Sequence, residues 1–125
     1  MVEQADTKPK AFRKLLVWQR AHKLVLLIYK LTEPFPKQEM FGLTSQIRRA
    51  AVSVPANISE GYAAGSKGQF ARYLNIAQGS LAEVEYYLML SRDLHFINDI
   101  QCQEVETLRG EAGFLLHQFI KSLKK

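Results

Sequence analysis

The chain has 125 residues, 47% apolar and 23% charged, with a formal net charge of +5, which suits one globular domain with its own core and excludes intrinsic disorder. No apolar run approaches the roughly 20 residues needed to span a bilayer, and the first residues lack the apolar stretch of a secretion signal. A single cysteine, Cys102, excludes an internal disulfide and fits a reducing compartment, so a cytoplasmic protein with no membrane association is expected.

Charge is unevenly placed. Residues 1–72 carry 12 Lys/Arg and 5 Asp/Glu, a net +7, while residues 73–125 carry 5 and 7, a net −2. A basic front half suggests an anionic partner, nucleic acid above all; the plainer reading is a soluble surface with scattered lysines.

Residues 1–10 mix charged groups with Pro9 and read as a flexible basic arm ahead of a domain at 11–125. Lys8, Lys10, Arg13 and Lys14 cluster where arm meets helix, either as a solvated terminus or as a phosphate-contacting arm. The first helix is predicted over Ala11–Thr32, stopped by Pro34-Phe35-Pro36. Val17, Ala21, Leu24, Leu27, Ile28 and Leu31 make its core face, and Trp18, Val25 and Tyr29 extend the apolar arc to roughly 200°. That exceeds the ~100° a small bundle requires. Trp18, Val25 and Tyr29 therefore read as a surface for a neighbouring subunit, unless a longer helix of the same chain covers them.

The second helix is predicted from Glu39–Leu43 to about Tyr62. Leu43, Ile47, Ala50, Ala51, Val54, Ile58 and Tyr62 occupy one sector of roughly 120°. Beside it Gln46, Arg49, Ser53, Asn57 and Glu60 form a polar stripe at three- and four-residue spacing. The stripe is either solvated surface or a hydrogen-bonded structural network, with Asn57 satisfying backbone groups released around Pro55 and Arg49 and Glu60 pairing with neighbours. Pro55 lacks an amide donor and is expected to bend the helix.

Gly61, Gly65 and Gly68 mark the next turn. The third helix is predicted after Ser66, with Gln69 at the capping-box position, to about His95. Phe70, Tyr73, Leu74, Ala77, Leu81, Val84, Leu88 and Ser91 form its core face. Ile76, Ser80, Tyr87, Leu90 and Leu94 form a second stripe, again suggesting a subunit contact. The fourth helix is predicted after an N-cap at Asn98 or Asp99, ending near Leu123. Its core face is Val105, Leu108, Ala112, Leu115, Phe119 and Leu123, and Lys121, Lys124 and Lys125 suit the negative end of its dipole. Four helices with short connections predict an antiparallel up-and-down four-helix bundle.

Catalytic patterns are missing. Carboxylate-bridged di-iron bundles need Glu-x-x-His pairs, and none of His22, His95 or His117 has a glutamate three positions before it. There is no HExxH, no Cys/His ligand cluster and no Walker loop. Cys102 lies near a predicted helix start, which lowers a thiol pKa, but no partner base accompanies it. Ser53, Asn57 and Glu60 supply no competent base for a serine nucleophile. A non-enzymatic protein without cofactor or metal is expected. The basic residues singled out for nucleic-acid contact are Arg13, Lys14, Arg20, Lys23, Arg48, Arg49, Lys67 and Arg72. Arg48, on the other side of its helix from the polar stripe, is read as the freer to meet an anion. No RNA-recognition motif is present, so recognition of shape and charge is expected. The rival reading is an oligomerisation or adaptor module for a protein partner.

Several strings carry a resemblance: VW at 17–18, IY at 28–29, FP at 35–36, FGL at 41–43, QIRRAAVSVPANISEGY at 46–62 and IAQGSLAEVE at 76–85. From Phe12 onward the chain resembles the bacterial four-helix-bundle proteins encoded in intervening sequences of large-subunit (23S) ribosomal RNA genes, with the last helix matching mainly in apolar pattern. The resemblance implies a bundle assembled as a ring-shaped homopentamer. More distantly, the chain is similar to accessory proteins of diversity-generating retroelements, whose basic pentamers contact nucleic acid and a reverse transcriptase.

Overall fold

The computed structural model describes residues 11–124, so the predicted arm at residues 1–10 lies outside the described residues. Four α-helices follow one another: α1 (Leu16–Thr32), α2 (Leu43–Ala63), α3 (Lys67–Asp93) and α4 (Asp99–Leu123). No strand occurs among the described residues. A 3-10 turn at Ala11–Lys14 stands ahead of α1, where the sequence predicts continuous helix, and another at Lys37–Glu39 precedes α2.

Contacts between consecutive helices run in opposite directions along the chain, so each helix is antiparallel to the next. Across α1 and α2, Trp18 meets Ser59 and Thr32 meets Arg48. Across α2 and α3, Ser53 meets Ser80 and Gln46 meets Tyr87. Across α3 and α4, Phe70 meets Phe119 and Leu88 meets Cys102. Arg20 pairs with Glu111 at 2.9 Å, closing α4 onto α1. This is an up-and-down four-helix bundle.

The core is the set of apolar faces turned inward. Leu24, Ile28, Ile47, Ile58, Leu74, Leu81, Leu88 and Leu116 are fully buried. Burying one such side chain contributes about 1.5–3 kcal/mol. On α4 the buried line runs through Val105, Ala112, Leu116 and Ile120, with the predicted Leu108, Leu115, Phe119 and Leu123 only partly buried beside it. A helix touching two neighbours buries a wider arc than a single stripe describes. The same geometry corrects the reading of α1: Val25 is only 9% exposed, and Trp18 is half-buried and bonded to α2. A helix of the same chain covers Val25 and part of Trp18, whose ring stays half-open beside it.

Tight local signals close the connections. Ser66 accepts the Gln69 amide at 3.2 Å, half of a capping box. The complete box forms at Asn98, which accepts the Gln101 amide at 2.7 Å while Gln101 Oε1 accepts from Asn98 N–H at 2.9 Å. Between them α3 ends in a Schellman motif, with Phe96 N–H donating to Ser91 O and His95 N–H to Arg92 O, both at 2.9 Å. Its left-handed position is His95, at φ 66°, where helices usually place glycine. His95→Gly is expected to raise stability by about 0.5–1 kcal/mol, as relief of the Cβ clash outweighs the added unfolded-state entropy. A denaturant midpoint unchanged or lowered by this substitution would contradict the assignment.

Candidate nucleic-acid interface

Antiparallel order decides which charges become neighbours. The starts of α1 and α3 and the ends of α2 and α4 share one end of the bundle. Arg13, Lys14, Lys67, Arg72, Lys121 and Lys124 all lie there, and all are exposed. Glu60 is the sole carboxylate at that end among the described residues. The opposite end balances Lys30, Lys37, Arg48 and Arg92 against Glu33, Glu39, Asp93 and Asp99. The bundle thus has a basic end and a mixed one.

Four of the eight singled-out residues, Arg13, Lys14, Lys67 and Arg72, meet at the basic end. The other four do not. Arg20 is held by Glu111, Lys23 is exposed on α1, and Arg49 is exposed on the outer side of α2. Arg48, read from sequence as the freer arginine, is engaged within the chain: Nε donates to Thr32 Oγ1 at 2.8 Å and Nη2 to Tyr29 O at 3.3 Å. Its guanidinium also lies 4.5 Å from the Tyr29 ring centroid. The last carbonyls of α1 lack intrahelical partners, and a cation there is doubly favoured. Lys121 and Lys124, read as local complements to the α4 dipole, join the basic end because α4 finishes beside the start of α1. Opposite helix directions were the signal that would have grouped them.

The polar stripe of α2 is partly a hydrogen-bonded seam. Asn57 Nδ2 donates to Ser53 O at 2.8 Å and to Ser53 Oγ at 2.9 Å, and the buried Ser80 Oγ donates to Ser53 Oγ at 2.7 Å. Tyr87 OH reaches Gln46 Oε1 at 3.5 Å. Arg49 and Glu60 stay exposed and form no ion pair among the described residues. The helix continues through Pro55, and Asn57 serves Ser53's carbonyl rather than that of Ala51, the one deprived of its donor by Pro55. Nearby, Ser59 Oγ accepts from Trp18 Nε1 at 3.0 Å and donates to Pro55 O at 3.0 Å. The seam is structural joinery between helices.

Two further side chains, Cys102 and Arg109, are set by their local surroundings. Burial pushes the Cys102 thiol above its ordinary value, outweighing the opposing charge of Arg92. Arg109, unremarked in the sequence, is hydrogen-bonded to Glu106 and pairs with Glu85 of α3 at 3.5 Å, which ties α4 to α3. The Glu106 bond raises its pKa further. No cluster of metal-ligating side chains occurs among the described residues, and no helix among them is long and apolar enough to cross a membrane.

Of the proposed interface residues, Tyr29, Ile76 and Leu94 remain exposed, whereas Tyr87 and Leu90 are half-buried against the core. Leu26, Tyr86, Met89 and Phe114 add exposed apolar surface that the stripes did not indicate.

A sequence model of the 23S rRNA-intervening sequence protein family matches residues 13–118. The chain belongs to that family. Among solved structures it is similar to a protein of unknown function from the S23 ribosomal protein family of Bacteroides thetaiotaomicron, at 28% identity and a TM-score of 0.77, over 85% of this chain and 96% of that one. No curated protein matches it.

The two adjacent arginines of this family member separate experimentally. Arg48→Ala is expected to cost about 1–2 kcal/mol of stability by removing charge-assisted bonds to α1, and Arg49→Ala less than about 0.5 kcal/mol. Equal effects in thermal unfolding would contradict the assigned contacts.

Proposed function

We propose that this family member is a non-enzymatic, cytoplasmic nucleic-acid-binding protein that meets structured RNA with its basic end. The observation that carries this reading is the gathering, among the described residues, of six exposed cations around a single carboxylate, Glu60, at one end of the bundle. Such a surface attracts a polyanion by counterion release. A family named for an intervening sequence of 23S rRNA makes RNA the class to test first. The protein acts as a homo-oligomer, a ring of five as the sequence resemblance implies. Exposed Leu26, Tyr29, Ile76, Tyr86, Met89 and Leu94 supply apolar surface for copies to cover one another. Repetition of the basic end around the ring then adds avidity to weak single contacts.

A protein-adaptor role is the second reading, favoured by Phe41 and Ile100, which stand 92% and 81% exposed at the mixed end.

Filter binding against salt tests the leading reading. Affinity should fall steeply with salt, and Lys67→Gln combined with Arg72→Gln should weaken binding and flatten the slope by about 0.7–0.9 per lost contact. Arg92→Gln at the mixed end should leave both unchanged. A flat salt dependence, or no binding at low salt, would refute it. Sedimentation of a dilute sample tests the assembly: a species of five chain masses is expected, and a compact folded monomer contradicts it.

A further inference from the structure

Beside the basic end, α1 and α2 leave an open groove of about 340 Å³, lined by Phe12, Arg13, Trp18, His22, Val52 and Pro55 among others. Its walls are mostly apolar, and its aromatic members are already arranged. The Trp18 ring is pinned by the bond from Nε1 to Ser59. The His22 ring stacks on it almost parallel, 5.0 Å between centroids at 14°, and the Phe12 ring meets it edge-on at 5.3 Å. His22 is exposed. Trp18 has spent its one donor, so its ring makes no further demand for a hydrogen bond, and the stacked, exposed His22 ring adds a π face with two ring nitrogens at its edge.

An apolar groove alone says nothing of its occupant. Here charge complementarity decides. Arg13 lines the groove and belongs to the basic end, with Lys14 next to it in the same turn. A flat apolar slot edged by cations matches a group that is aromatic on one side and anionic on the other. An apolar peptide would satisfy the slot and leave the cations without partners; a polyanion without rings would do the reverse. A nucleotide meets both demands, because every base has a π face and every linkage a phosphate.

Resting on the nucleic-acid reading above, we propose that the α1–α2 groove receives one unpaired nucleobase, stacked on the Trp18–His22 pair, while Arg13 and its neighbours hold the adjoining phosphates. In a duplex the base faces are covered by their neighbours. The groove therefore selects single-stranded segments, such as the loops and bulges of a folded RNA. The basic end supplies attraction, and the groove supplies the preference for unpaired strands.

Trp18 is the sole tryptophan, so its fluorescence reports the groove directly. Full-length protein is titrated with a short oligouridylate, with an abasic oligonucleotide of equal length and charge, and with an RNA duplex. The base-bearing strand should quench Trp18 and bind about fivefold or more tightly than the abasic one. His22→Ala, at an exposed position, should bring oligouridylate down to the abasic level without altering abasic binding. His22→Tyr, which keeps a ring, should retain the difference. If abasic and base-bearing strands bind and quench alike, or the duplex binds as tightly as the single strand, the groove proposal falls while the basic-end reading stands. If none of the three binds at low salt, both fall together.

Discussion

Everything distinctive in this molecule follows from four helices folding back on one another, each antiparallel to the one before it. Pro34 and Pro36 end the first helix, a glycine-containing turn capped by Ser66 joins the second to the third, and a Schellman motif runs into the Asn98 capping box at the last. The prolines stop α1 from continuing, while the caps and the Schellman motif satisfy backbone groups that a helix end leaves open. Because the chain reverses at every connection, alternate helix ends stack together. Arg13 and Lys124, far apart in sequence, arrive at the same end. A close approach of α3 to α2 is also built in: a Cβ on Gly61 would lie 2.8 Å from Phe70 Cδ1 and 2.9 Å from Tyr73 Cβ, so only glycine lets the α3 rings seat there.

Helix existence and most core positions were legible because a 3.6-residue period records which side of a helix avoids water. Ile47, Val54 and Ile58, or Leu74, Leu81 and Leu88, declare themselves in that way. The period does not record which neighbour covers the flank. Trp18 and Val25 therefore read as subunit surface, although α2 of the same chain lies against them. On α4, Leu116 and Ile120 were missed for the same reason. Tyr62 shares the angular sector of the α2 core but sits in the last turn, where it is exposed and meets Phe70 edge-on, 6.0 Å between centroids.

Charges were harder to read than apolar faces. A cation's role depends on its height along the bundle and on what lies across from it. Arg48 and Arg49 are adjacent in sequence, yet one reaches the carbonyl end of α1 while the other faces outward. Lys121 and Lys124 changed meaning once the end of α4 was placed beside the start of α1. The Ser53–Asn57–Ser80 seam was half legible: spacing showed the α2 side of it, and its partner on α3 emerged only from packing.

Structure and proposed activity then divide along the long axis. The middle of the bundle is sealed by core and seam, the mixed end holds the Arg48 tie, and the basic end with its neighbouring aromatic groove remains open to a partner. Photo-crosslinking of a 4-thiouridine-containing RNA, followed by mass spectrometry of the crosslinked peptides, locates that partner on the protein directly. Crosslinks should concentrate in the segment around Phe12–His22 and at the start of α3 near Lys67–Arg72. Crosslinks confined to the turn around Arg92–Asp99, or spread evenly over all four helices, would contradict a basic end that does the binding.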